Sequence, residues 1–247
     1  MKFHDILAFF DIIFPRHCTI CGRVLTKYEH EVCARCLMEL PRCSFESWTN
    51  NTVTALLANE VSVVKGGSML RYEYEATKRL ILSNKYGGWW RVGLQLGKWC
   101  AEEYADLHFF DDMDLIIPVP TSRIRKWKRG YNQVENICSG LSQNTGIPVS
   151  TRHLVRPKNT KSQVGMNAAE RKENVADAFA VRHADELRGK HVLVVDDVIT
   201  TGSTLCACAK ALAAACPDLR ISVLTMALVH FDEHTTLEDV PLDYLDD

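Results

Sequence analysis

The chain has 247 residues, of which 47% are hydrophobic and 24% are charged. This length and composition fit one α/β domain with a small appendage and exclude a chain that is disordered as a whole. The formal net charge of −2 gives no global attraction to nucleic acid or to an anionic membrane, so any such binding has to come from local basic clusters.

The first fourteen residues, MKFHDILAFFDIIF, are apolar enough to suggest an export signal. Asp5 and Asp11 interrupt the run, however, and no small-residue cleavage site follows it. The apolar side chains recur at helical spacing, which predicts an amphipathic helix that packs on the protein. The segment is too short to span a bilayer, so we predict no membrane span and a cytoplasmic location.

Two cysteine pairs follow, Cys18 with Cys21 and Cys33 with Cys36. In a reducing compartment such pairs indicate a metal site rather than disulfides. Four thiolates suit a closed, structural zinc site, which can stabilise a segment too small to fold alone. Two redox-active cysteine pairs are the alternative, disfavoured because no thioredoxin-like context surrounds them. We therefore predict a small N-terminal zinc-binding module over residues 1–48, including the helix, and a larger domain over 49–247.

Beyond the cysteines, apolar runs typical of strands alternate with helical segments. The runs cover residues 115–119, 147–154, 178–181, 191–195 and 221–229, and helix formers are concentrated in 132–143 and 204–216. This alternation predicts βαβ units and an α/β fold with a mostly parallel sheet flanked by helices. In such sheets ligands bind beyond the carboxyl ends of the strands.

One such end carries two adjacent carboxylates, Asp196 and Asp197, where we expect the strand HVLVV to stop. An alanine-rich helix follows, and the unsatisfied N–H groups at its start suit one terminal phosphate. The two carboxylates can accept hydrogen bonds from sugar hydroxyls, so a ribose phosphate fits the combination. An ordinary surface turn is the alternative. The candidate phosphate-binding residues are Val198, Thr200, Thr201, Gly202, Ser203 and Thr204.

The segment DDVITTGST resembles the phosphoribosyl pyrophosphate motif of type I phosphoribosyltransferases. Together with the cysteine pairs, PVPTSRIRKWKRGYNQ (118–133) and RPKNTKSQVGMNAAERKENVADAF (156–179), it resembles the ComF family of competence proteins over nearly the whole chain. KYGG, residues 85–88, also resembles the family, but the sequence assigns it no chemical role. The resemblance implies the type I phosphoribosyltransferase fold, binding of phosphoribosyl pyrophosphate with magnesium, and a link to DNA uptake in natural transformation. The partners that it implies are single-stranded DNA and a competence helicase or recombination mediator.

The loop after residues 115–119 fits the position of the transferases' pyrophosphate loop, which makes Pro120, Thr121 and Ser122 candidate ligands of that group. A basic turn follows, with Trp127 and Tyr131 available to stack on bases. Its cations can neutralise pyrophosphate or grip a nucleic-acid backbone, and a solvated turn is the third possibility. These cations are Arg123, Arg125, Lys126, Lys128 and Arg129.

The stretch 156–174 is long, polar and basic, so it cannot bury much surface alone. We interpret it as a lid of the kind that closes over the sugar in the transferases, with a disordered connector as the alternative. Its candidate contacts are Arg156, Lys161, Gln163 and Arg171. The implied chemistry is displacement at the anomeric carbon through an oxocarbenium-like state, with magnesium bridging pyrophosphate and sugar oxygens. Asp196, Asp197 and Arg171 are the catalytic candidates.

Three functions stay open on the sequence. The first is a phosphoribosyltransferase whose acceptor the sequence does not identify. The second is a non-catalytic competence module that binds single-stranded DNA or a partner protein. The third is nucleobase salvage, which is disfavoured because a minimal salvage enzyme has no evident need for a zinc module.

Overall fold

A computed structural model describes residues 15–86, 90–122, 127, 130–157 and 178–229. The predicted N-terminal helix and most of the predicted lid lie outside these residues. Within the described ranges, every helix is too short or too polar to cross a membrane.

The regular elements of the described residues alternate along the chain as the sequence predicts. The helices are α1 (Ala34–Met38), α2 (Thr52–Ala58), α3 (Glu75–Tyr86), α4 (Trp90–Ala105), α5 (Gln133–Thr145) and α6 (Ser203–Ala215). The strands are β1 (Gly66–Arg71), β2 (Leu115–Pro118), β3 (Leu154–Val155), β4 (Ala180–Val181), β5 (His191–Ile199) and β6 (Arg220–Leu228).

Four of these strands form a parallel sheet in the order β1-β6-β5-β2. Every residue of β5 is buried, and so is every residue of β6 after Arg220. Strands buried on both faces read as continuous apolar runs, which is why the sequence pattern identified this central pair. The predicted mostly parallel sheet with flanking helices is confirmed.

The prediction that the central strand stops before the aspartates is wrong. β5 continues to Ile199, and Asp196 pairs with Thr225 of β6. The pairing with β2 ends earlier, at Pro118 opposite Val195. Because β6 supplies backbone partners along this whole length, the ladder persists on one side after it has ended on the other. The two aspartates therefore lie on a part of β5 that still pairs with β6 but no longer with β2.

Two further differences follow from local chemistry. The run 147–154 forms a single bridge from Val149 to Ile116 and then the short β3, which pairs antiparallel with β4. β1 was not predicted, since its sequence GGSMLR is poor in the β-branched residues typical of strands. Gly67 packs closely on Phe109, since a Cβ at this position would lie 3.1 Å from the ring.

The N-terminal segment packs on the sheet and on α4. Arg42 bridges to Leu70 of β1, and the Cys43 N–H donates to the Met69 carbonyl at 2.9 Å. The Trp48 ring lies 4.9 Å from that of Tyr104 and 4.8 Å from that of Phe109, measured between centroids. This segment therefore shares its apolar core with one face of the sheet.

Helices α4 and α5 cross with their backbones in contact. A Cβ on Gly97 of α4 would lie 2.1 Å from the Ile137 carbonyl oxygen, and one on Gly140 of α5 would lie 2.0 Å from that of Leu94. Neither backbone oxygen can move without breaking a helix, so both positions require glycine. This crossing fixes α5, whose first turn borders the cleft described below.

Gly97→Ala is expected to lower the free energy of unfolding by about 1–3 kcal/mol, because the methyl group forces the two helices apart. The better helix propensity of alanine, about 1 kcal/mol, offsets only part of that clash. Urea denaturation measures the change. Gln143→Ala, on the exposed face of α5, is the control and should stay within about 0.5 kcal/mol of the parent chain. A Gly97→Ala variant as stable as the control would contradict this packing.

Candidate functional site

A small cleft opens where β2 has ended and β5 continues. Its walls come from the last turn of α3, the loop after β2, the first turn of α5, the end of β5, and the first turn of α6. Arg156, which follows β3, also lines it. The cleft thus lies at the carboxyl end of the parallel strands, where the sequence predicts a ligand site.

The two predicted carboxylates line this cleft and are both buried. Asp197 Oδ2 accepts a hydrogen bond from Gln133 Nε2 at 3.1 Å and lies 3.7 Å from Lys85 Nζ. Asp196 Oδ1 accepts from the Asp197 backbone N–H at 2.8 Å. Buried charges require such partners, so the surroundings of this pair hold the carboxylates in place.

The pKa of Tyr72, the residue after β1, is affected by the negative charge of this site. Burial raises the pKa of its phenol well above the usual range, and the charges of Asp197 and Glu75 raise it further. The phenol is therefore protonated at neutral pH and can act as a donor.

The loop from β5 to α6, where the sequence predicts phosphate binding, turns at a glycine. Gly202 has a φ of 80°, a left-handed conformation that favours glycine, and α6 begins directly after it. Of the hydroxyls, Thr201 and Ser203 are exposed, Thr200 is half-buried, and Thr204 is half-buried and lines the cleft. Val198 is different, since its side chain is buried in the core and offers nothing to a ligand.

The loop after β2 is held against the start of α5 by one side chain. Asn132 donates from Nδ2 to the Val119 carbonyl at 3.1 Å and accepts from the Val134 N–H at 3.2 Å, which caps α5. Pro120 and Thr121 consequently line the cleft, with Ser122 half-buried beside them.

Several predicted contacts cannot be placed. The cations at 123, 125, 126, 128 and 129 lie outside the described residues, and so do Lys161, Gln163 and Arg171. Trp127 is described and is 85% exposed. Arg156, at the start of the predicted lid, has its guanidinium 5.5 Å from the centroid of the Phe179 ring.

Sequence analysis gave no role to Lys85 or to Gln133, although both lie in segments that resemble the family. The structure brings them together on Asp197 from two helices that are distant in the chain. Lysine is rarely buried, and nothing in a helical pattern indicates that Lys85 is. The available signal was the segment KYGG, in which Lys85 and Tyr86 are followed by two glycines.

The four paired cysteines form a separate cluster whose sulfur atoms all lie within 4.8 Å of one another. Cys21 Sγ and Cys33 Sγ are 3.8 Å apart. A tetrahedral site with metal–sulfur bonds of about 2.3 Å places its sulfurs about 3.8 Å apart, so the spacing fits a bound metal. In the described part of the chain, no other group of His, Cys, Asp and Glu meets the same criterion.

The thiols of this cluster differ in acidity. Burial raises the pKa of Cys18, but hydrogen bonds from backbone N–H groups at Cys21, Cys33 and Ile20 outweigh it and lower the pKa to about 7. Burial and the neighbouring thiols raise the pKa of Cys36 well above its usual range. A metal cation would favour the thiolate form of all four.

Comparison with known proteins agrees with this geometry. The family model for the phosphoribosyl transferase domain matches residues 108–244. Competence protein F of Haemophilus influenzae is 30% identical over 195 residues, which cover 78% of this chain and 76% of that protein. The DNA utilization protein YhgH of Escherichia coli is 29% identical over 191 residues, covering 76% and 74%. Competence protein ComFC of Bacillus subtilis is 25% identical over 194 residues, covering 76% and 68%.

Proposed function

Because this chain belongs to the phosphoribosyl transferase domain family and is a ComF-type member of it, we propose that it binds phosphoribosyl pyrophosphate in the cleft beyond β5. The observation that carries the proposal is the buried carboxylate pair, Asp196 and Asp197, which lies near the carboxyl end of the parallel strand β5, shortly before α6 begins at Ser203. Carboxylates suit sugar hydroxyls and helix N-termini suit phosphates, so the combination selects a sugar phosphate.

Each part of the ligand has a chemically matched part of the cleft. The N–H groups and hydroxyls of residues 200–204 would hold the 5-phosphate, and Asp196 and Asp197 would accept from the ribose hydroxyls. The loop at Pro120, Thr121 and Ser122 would face the pyrophosphate. Magnesium would arrive with the pyrophosphate and neutralise part of its charge.

The carboxylates also suit the reaction of a phosphoribosyltransferase. When the bond from the anomeric carbon to pyrophosphate breaks, positive charge develops on the ribose ring, and nearby fixed negative charge stabilises it. No protein nucleophile is needed, since an acceptor attacks the same carbon. Arg171, outside the described residues, is proposed as the lid cation that contacts the pyrophosphate.

Asp196→Asn and Asp197→Asn are each expected to weaken binding of phosphoribosyl pyrophosphate with magnesium by at least about tenfold, because an amide is a weaker acceptor without charge. Isothermal calorimetry measures the change. Asp185→Asn is the control, since that carboxylate is exposed beside Arg188, away from the cleft. Unchanged binding in the double variant Asp196→Asn with Asp197→Asn would refute the assignment.

We also propose a role in the cytoplasmic handling of incoming DNA, because the relatives named above are called competence and DNA utilization proteins. The basic segment 123–129 is the proposed contact for single-stranded DNA, and the exposed Trp127 ring supports it as a stacking surface. A helicase or a recombination mediator is the proposed protein partner. Sugar-phosphate binding and DNA handling are compatible in one protein.

Trp127→Ala is expected to weaken binding of a labelled oligothymidine by about fivefold or more, since stacking on one base contributes about 1–3 kcal/mol. Fluorescence anisotropy at several salt concentrations measures both affinity and its electrostatic part. Tyr28→Ala, which removes an aromatic ring that is 79% exposed on the cysteine-bearing segment, is the matched control. Equal loss in both variants, or affinity insensitive to salt, would argue against this surface.

We further propose that the four-cysteine cluster holds a structural zinc ion and that residues 1–48 act as the module that it stabilises. All four positions are filled by sulfur, which suits a closed site without catalytic access. The support is the close spacing of the thiols, with Cys21 Sγ and Cys33 Sγ 3.8 Å apart, and the burial of three of them.

Purified protein is expected to contain one zinc ion per chain by elemental analysis. Cys33→Ser should lose the metal and unfold at a lower temperature, because zinc binding contributes folding free energy. Cys43→Ser is the control, since that thiol lies outside the cluster. The proposal would be contradicted if a chelator removed all metal from the protein and the unfolding temperature did not change.

A further inference from the structure

We propose that Lys85 is a positioning residue of the ribose site, which holds the Asp197 carboxylate in the orientation needed to accept from the sugar hydroxyls. The inference rests on the proposed function, because it gives Lys85 a task in binding the same ligand. Lys85 lies outside residues 108–244, the segment that the family model matches, so that match assigns Lys85 no role.

The placement of Lys85 is the first observation. Its side chain is 3% exposed, and its ammonium lies 3.7 Å from Asp197 Oδ2, whose own side chain is 7% exposed. A lysine this buried is costly unless its charge is matched, so its position needs a cause. Lys85 also lines the cleft, which distinguishes it from a lysine enclosed in the core.

The second observation is the set of hydrogen bonds that joins the residues around Lys85 to α5. Its neighbour Asn84 is tied to the approach to α5, since the Tyr131 hydroxyl donates to the Asn84 carbonyl at 2.8 Å. Gln133, two residues after Tyr131, donates a hydrogen bond from Nε2 to Asp197 Oδ2, the same oxygen that faces Lys85. The last turn of α3 and the first turn of α5 are thus joined, and each presents one donor to Asp197.

The charges of the site explain why a cation is needed there. Asp196 and Asp197 are adjacent and buried, so their negative charges repel each other. Gln133 can orient Asp197 but carries no charge. Lys85 supplies the compensating charge from the side of α3, while Arg156 lines the cleft from the strand β3 side.

Lys85 could act in two ways that an experiment can distinguish: by orienting the Asp197 carboxylate, or by attracting any anion through its charge. If Lys85 acts through Asp197, its removal weakens ligands that carry the ribose hydroxyls. If it acts as a free positive charge, its removal weakens any anion in the cleft. Ribose 5-phosphate and inorganic pyrophosphate separate the two cases.

Lys85→Met is expected to weaken binding of ribose 5-phosphate, and of phosphoribosyl pyrophosphate with magnesium, by at least about tenfold. Binding of inorganic pyrophosphate with magnesium should change by less than about twofold, because pyrophosphate has no sugar hydroxyl for Asp197 to bind. Lys78→Met, earlier on the same helix and only half-buried, is the matched control. Isothermal calorimetry measures all of these affinities.

The double variant Lys85→Met with Asp197→Asn completes the test. It should bind ribose 5-phosphate as Asp197→Asn alone does, because two residues that act through one contact are not additive. This double variant removes both charges of the Lys85–Asp197 pair, so it is expected to fold even if Lys85→Met alone does not. A further loss of affinity in the double variant, or unchanged binding in Lys85→Met, would overturn the role of Lys85. Parent protein that binds neither ribose ligand would instead overturn the proposed function.

Discussion

The structure depends on an asymmetry in the hydrogen bonding of its central strand. β5 pairs with β6 along its whole length, but β2 leaves it at Val195. Two carboxylates are thereby carried on a paired strand and still line the cleft. A strand that ended at Val195, as the sequence predicts, would place both on a loop. Held instead by the β6 ladder, they can be buried, oriented and reached by a ligand at the same time.

The rest of the cleft is assembled around that strand by contacts between distant parts of the chain. The glycine crossing of α4 and α5 fixes where α5 begins, and Asn132 ties that beginning to the loop after β2. Gln133, the first residue of α5, then reaches Asp197. A defect in helix packing would therefore be felt at the carboxylates, although Gly97 touches neither of them.

The cysteine cluster belongs to a different level of organisation. Its four cysteines are close together in the sequence, and their sulfur atoms converge within that one segment of the chain. The segment that carries it nevertheless shares a core with β1 and α4 through Trp48 and its aromatic neighbours. If the cluster holds a metal as proposed, loss of that metal would affect the edge of the sheet as well as the cluster.

The parallel sheet, the cysteine cluster and the motif from Asp196 to Thr204 could be predicted from the sequence, because each depends on residues that are neighbours in the chain. A continuous apolar run, a repeated cysteine spacing and a glycine before a helix are all local patterns. The fold was needed to show that Lys85 and Gln133 meet at Asp197, that Val198 is buried, and that GGSMLR forms an edge strand. These depend on which surfaces pack together, and burial of a single lysine or glycine leaves no periodic signal in one sequence.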